Sequence, residues 1–104
     1  MIEYSFLIGL NDKDKLIQII DTLEAYKIVN NILVNNGISA YNVVQNRGFF
    51  TNSKKEVTIE NSFIVSIIDN LKDDTIKNII KDLKVALNQE CIGLKKTNIS
   101  VDWL

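Results

Sequence analysis

Residues 2–10, IEYSFLIGL, alternate: Ile2, Tyr4, Phe6 and Ile8 fall on one side, Glu3, Ser5, Leu7 and Gly9 on the other. A period of two predicts a strand with one well-buried face. NDKDK at 11–15 is a polar turn. LIQII at 16–20 is short and β-branched, so it predicts either an extra short strand pairing back on the first or an apolar loop covering a sheet edge. The period then changes. Ala25, Ile28, Val29, Ile32 and Leu33 recur at helical spacing, behind Asp21 and Glu24 in capping-box positions, and Gly37 is a stop signal. SAYNVVQNRGFFT at 39–51 and EVTIENSFIVSII at 56–68 read as the two arms of a long hairpin turning at 52–55, with Gly48 marking a bulge or a close approach of another group. In the second arm Val57, Ile59, Phe63, Val65 and Ile67 share a face, interrupted by Asn61. Asp73 and Asp74 open a second helix, where carboxylates suit the positive end of the dipole. Its apolar stripe is Ile76, Ile79, Ile80, Leu83 and Leu87, and residues 91–101 read as a last strand.

The order β-α-β-β-α-β predicts an α+β, ferredoxin-like domain spanning 1–104: an antiparallel sheet with both helices on one face. The other face is not uniformly polar, because Leu7, Val44, Phe50, Ile64 and Ile68 compete for it. Monomers rarely expose a large apolar patch, so a homodimer or larger assembly is expected.

Composition narrows the function classes. Twelve basic residues face thirteen acidic ones, for a net charge of −1. No long basic block stands out, which argues against broad nucleic-acid binding. The absence of histidine removes the usual general base near neutral pH and the commonest metal ligand. No metal or cofactor motif is present, so no cofactor is expected. One cysteine, Cys91, cannot form a disulfide within the chain, which suits a reducing compartment; its place before a strand suggests a small core residue. Met1-Ile2-Glu3-Tyr4 lacks a basic leader pattern, and no apolar run reaches membrane-span length, so a cytoplasmic protein is expected. The wealth of Asn, Ile and Lys is what an AT-rich genome writes, and points to a low-GC bacterium or one of its phages.

The topology brings the end of the first strand, the hairpin, the start of the first helix and the end of the second helix to one edge. Candidate ligand-binding residues there are Asn11, Asp12, Arg47, Phe49, Asn88, Gln89 and Glu90. Arg47 is the sole arginine, and its planar fork suits phosphate or carboxylate. Phe49 beside it could stack on a base. The plainer reading makes Arg47 a cross-strand partner of Glu56 or Glu60, and makes 88–90 an ordinary polar helix end.

IGLND after the first strand and LNQE closing the second helix, with a hairpin between them, resemble a family of small bacterial and phage proteins. The known content of that family is a fold and a phage or mobile-element context rather than a reaction. Small phage proteins of this kind are often counter-defence factors. Some of them sequester a nucleotide immune signal, as the Thoeris and cyclic-oligonucleotide antagonists do. Together with that context, the first reading of the chain is a non-enzymatic, oligomeric small-ligand-binding module whose site lies at that edge and takes a nucleotide-like molecule in the host cytoplasm. Two alternatives remain open. One is an inhibitor that blocks a host protein through the open sheet face. The other is a cofactor-free isomerase or monooxygenase of the same fold.

Overall fold

A computed structural model describes residues 1–51 and 54–104; the side chain of Phe50 and part of the expected turn at 52–55 lie outside the described residues. The elements are β1 (Ile2–Gly9), α1 (Thr22–Asn35), β2 (Asn42–Thr51), β3 (Val57–Asp69), α2 (Asp73–Ala86) and β4 (Gly93–Asn98). The four strands form one antiparallel sheet in the order β2-β3-β1-β4, the α+β ferredoxin-like arrangement expected from the element order.

Register turns the alternation into two faces. Tyr4, Phe6 and Ile8 pair with Ile67, Val65 and Phe63, and all six are buried against the helices. Ala25, Val29 and Leu33 of α1 and Ile76, Ile79 and Leu83 of α2 complete that core. The opposite parity (Ser5, Leu7 and Gly9 of β1 with Ser66, Ile64 and Ser62 of β3) lies on the face without helices. Leu7 and Val44 are exposed on it, whereas Ile64 and Ile68 are half-buried.

Local chemistry sets the helix ends. The Asp21 carboxylate accepts from the Leu23 and Glu24 amides at the start of α1. Gly37, at φ 80°, turns the chain out of α1. There Ile38 N–H donates to Leu33 C=O and Gly37 N–H to Val34 C=O. Helix α2 ends the same way with an asparagine: Asn88 takes φ 47°, and Gln89 N–H donates to Lys84 C=O.

Five expectations change. Residues 16–20 form no strand. Only Asn11 and Gln18 make an isolated bridge, and Leu16, at φ 63°, breaks the extended run. Asn61 explains why the loop settles there: its amide donates to Gln18 Oε1 at 2.8 Å, and its backbone carbonyl accepts from Leu10. The interruption of the apolar face is thus a docking point for polar loop groups. Gly48 makes no bulge, since β2 and β3 pair continuously from Asn42↔Ser66 to Thr51↔Val57. The first hairpin arm starts at Asn42 rather than 39, and the last strand covers only Gly93–Asn98 of the expected 91–101. Cys91 therefore sits in the connection before β4 and is exposed, not part of the core.

Candidate functional site

A cleft of about 760 Å³ opens on the helix-free face, where the sheet meets the β1–α1 and α2–β4 connections. That volume lies within the range that takes small organic ligands. Leu7 and Gly9 of β1, Asn46 of β2, Glu60, Ser62 and Ile64 of β3, and Gly93 of β4 supply the sheet side. Asn11, Asp12, Lys13, Gln89, Glu90 and Cys91 line the rim.

Glu60 is the group that the cleft is built around. Its Oε2 accepts the backbone N–H of Asn11 at 2.9 Å. The carboxylate lies over Gly9: a Cβ there would stand 2.6 Å from Oε2 and 2.7 Å from both Cδ and Oε1. Any residue larger than glycine would push the carboxylate aside, so the close approach requires Gly9. Among the described residues Oε1 accepts no hydrogen bond, which leaves it available to a donor in the cleft. Sequence reasoning treated Glu60 only as a possible partner of Arg47. The parity of β3 was the missed signal, since residues at even positions face away from buried Phe63, Val65 and Ile67.

The rim is tied by the polar triplet of the α2–β4 connection. Asn88 Nδ2 donates to Asp12 Oδ1 at 2.8 Å and to Asp14 Oδ2 at 2.9 Å, while the Asn88 carbonyl accepts from Lys13 N–H. Asp12 Oδ2 accepts from the Asp14 and Lys15 amides. The Asn88 amide first, then the backbone donors, hold the Asp12 carboxyl below its ordinary value. Gln89 is only 8% exposed, and its Nε2 donates to Asn11 C=O at 2.7 Å and to Leu87 C=O at 3.2 Å. Asn88 and Gln89 thus lash the end of α2 to the loop that carries Asn11, and so position the amide that grips Glu60.

Of the seven residues read from the sequence, the structure brings together Asn11, Asp12, Asn88, Gln89 and Glu90. It does not bring Arg47 and Phe49 to them. Arg47 pairs with Asn61 and Phe49 with Ile59, on the parity of the helix-covered face, so both side chains leave the hairpin on the side away from the cleft. For the same reason Arg47 and Glu60 lie on opposite faces and are not cross-strand partners. The fixed charges lining the cleft are Asp12, Glu60 and Glu90 against Lys13, a net negative surface. Among the described residues no group of three or more metal-ligating side chains is assembled, and no helix is long and apolar enough to cross a membrane.

No protein-family model and no curated protein matches the chain. Solved structures do resemble it. A phage SAM lyase in complex with S-methyl-5′-thioadenosine is 23% identical, with a TM-score of 0.65 over 92% of this chain and 79% of that one. A phage SAM lyase in the apo state is 20% identical, with a TM-score of 0.67 over 99% and 91%. The periplasmic divalent cation tolerance protein CutA from Archaeoglobus fulgidus is 15% identical, with a TM-score of 0.56 over 99% and 88%. At these identities the shared property is the fold.

Proposed function

We propose that this protein is a homo-oligomeric, phage-type small-molecule-handling protein that binds an adenosine-like ligand in the cleft beside Glu60. The observation that carries the reading is the Glu60 carboxylate, seated over Gly9, held by the Asn11 amide and left with a free oxygen. A carboxylate fixed in this way accepts hydrogen bonds from ribose hydroxyls or an amino group, and it attracts a positive centre. The likeness in fold to a phage protein in complex with S-methyl-5′-thioadenosine supports a nucleoside as the ligand class. The excess of carboxylates around the cleft disfavours a phosphorylated ligand, and with Arg47 on the other side no guanidinium offsets it. The ligand is therefore a neutral or cationic nucleoside derivative rather than a nucleotide. In a phage setting such binding removes a small host molecule from use, and sequestration alone suffices for that counter-defence role. Exposed Leu7 and Val44 on the open face support assembly of several copies.

A second reading is turnover of S-adenosylmethionine. The same carboxylate favours it, since a sulfonium next to Glu60 Oε1 is an electrostatically matched substrate. Calorimetry with S-methyl-5′-thioadenosine, S-adenosylmethionine and adenosine monophosphate tests the first reading. The first two should bind, the monophosphate should bind at least about tenfold more weakly, and Glu60→Gln should weaken the first two. Equal or tighter binding of the monophosphate would overturn it. Mass spectrometry of the S-adenosylmethionine mixture over time tests the second reading: appearance of S-methyl-5′-thioadenosine at a rate that needs Glu60 marks turnover, and an unchanged mixture marks binding alone.

A further inference from the structure

The hairpin reaches past the rest of the sheet. Strand β1 ends at Gly9 opposite Ser62, so residues 57–60 of β3 pair only with β2. On the helix-side parity this overhang carries Phe49, 65% exposed, and Ile59, 54% exposed, with no helix above them. Leu23 and Tyr26 of α1 are exposed next to it and form, with Val43 and Gln45, a groove of about 420 Å³. Arg47 lies between the groove and the overhang, exposed, and makes no hydrogen bond or ion pair among the described residues.

A second unfilled element lies at the far end of the molecule. Beyond β4, Ile99 is pinned by its N–H to the Met1 carbonyl at 3.0 Å. Residues 100–104 follow without regular structure, Val101 half-buried and the others exposed. Trp103, 75% exposed, and exposed Asp102 make no hydrogen bond or ion pair among the described residues. One element presents an acid beside an aromatic, and the other presents a guanidinium among apolar side chains. Arginine and tryptophan are each present once in the chain.

The two cannot meet within one molecule. Asn98 pairs with Ile2 on one outer strand, whereas Arg47 is on the other outer strand, level with the residue after Gly9. Three strand spacings and about eight residues of rise put them on the order of 30 Å apart. The four residues from Asn98 to Asp102 span at most about 14 Å fully extended.

We propose that the 100–104 segment of one copy docks on the helix-side face of the hairpin of a second copy, with Asp102 against Arg47 and Trp103 among Phe49, Ile59 and Tyr26. A buried tryptophan supplies roughly 150–250 Å². A stable interface needs about 1,200 Å² in total, so the segment acts with the wider open-face contact. The inference rests on the oligomeric part of the proposed function and adds where the chains exchange contacts.

Trp103 supplies the readout, because all tryptophan emission of the full chain comes from it. Emission and acrylamide quenching are followed by dilution from micromolar to nanomolar protein, with light scattering at each concentration. Assembly should shift the emission to shorter wavelength and lower quenching several-fold. Arg47→Asp and Asp102→Arg should each move the midpoint to higher concentration by about tenfold, the scale of a charged interfacial pair, and the two together should restore it. Leu23→Ser, which leaves the charges in place, should raise the midpoint as well. An oligomer in which Trp103 stays fully quenchable overturns the docking but not assembly. A particle of monomer mass at every concentration overturns both. A double charge reversal no better than the single ones overturns the Arg47–Asp102 contact.

Discussion

Gly9→Ala is expected to unseat Glu60. The new Cβ would fall 2.6 Å from Oε2 and 2.7 Å from Oε1 and Cδ, well inside contact distance. The obstacle is the end of a flexible side chain, so the carboxylate swings away rather than the sheet. It then gives up the 2.9 Å bond from the Asn11 amide. A backbone donor to a carboxylate contributes about 1.5–3 kcal/mol, while alanine in place of glycine inside a strand returns roughly 0.5–1 kcal/mol. The expected net loss is about 1–2 kcal/mol, together with loss of nucleoside binding. The assay is urea unfolding at fixed protomer concentration of the parent, Gly9→Ala, Glu60→Ala and the double variant. With Glu60 truncated there is nothing to displace, so Gly9→Ala should become neutral or stabilising by about 0.5–1 kcal/mol. The same cost in both backgrounds would refute the reasoning, because the strain would then lie in the backbone or in another neighbour.

The remaining predictions concern the rim and the core. Gln89→Ala should cost about 1–3 kcal/mol in urea unfolding, since it leaves the Asn11 carbonyl without its 2.7 Å donor; a change under about 0.5 kcal/mol would mean that the amide only decorates the surface. Asp12 has its folded pKa depressed, so its contribution is present above the unfolded carboxylate value of about 3.9 and is lost as pH falls through the lower, folded one. Asn88→Gly keeps the left-handed cap and removes the amide. It should therefore shallow the acid limb of stability against pH, and an unchanged limb would contradict the assigned cause. Leu83→Ala, at a fully buried position of α2, should cost about 2–5 kcal/mol in the same assay; a surface-sized change would mean that the wrong helix face had been assigned to the core.

The core was legible because its periods are clean. Tyr4, Phe6 and Ile8 alternate without interruption, and the stripe of α2 keeps its spacing over Ile76, Ile79 and Leu83. The β2 arm is different. Val43 and Val44 are adjacent, as are Phe49 and Phe50, so its hydrophobic pattern fits either register. A shift of one residue exchanges the faces. Only pairing with β3 decides that Arg47 points away from Glu60, and that pairing is not written in the arm itself. LIQII carries strand-forming residues, but its position is set by a side-chain bond from Asn61 to Gln18 and by the positive φ of Leu16. Neither is a local propensity. Asn88 was readable as a polar helix end. Its role as the left-handed cap that also ties Asp12 depends on a loop 76 positions earlier in the chain.

Binding of a nucleoside beside Glu60 is tested most directly by amide chemical shifts of the protein titrated with S-methyl-5′-thioadenosine. Saturable shifts centred on Gly9, Asn11, Glu60, Ser62 and Gly93, and abolished in Glu60→Gln, are the expected result. No saturable shifts, or shifts centred on Phe49, Ile59 and Tyr26 on the opposite face, would contradict it.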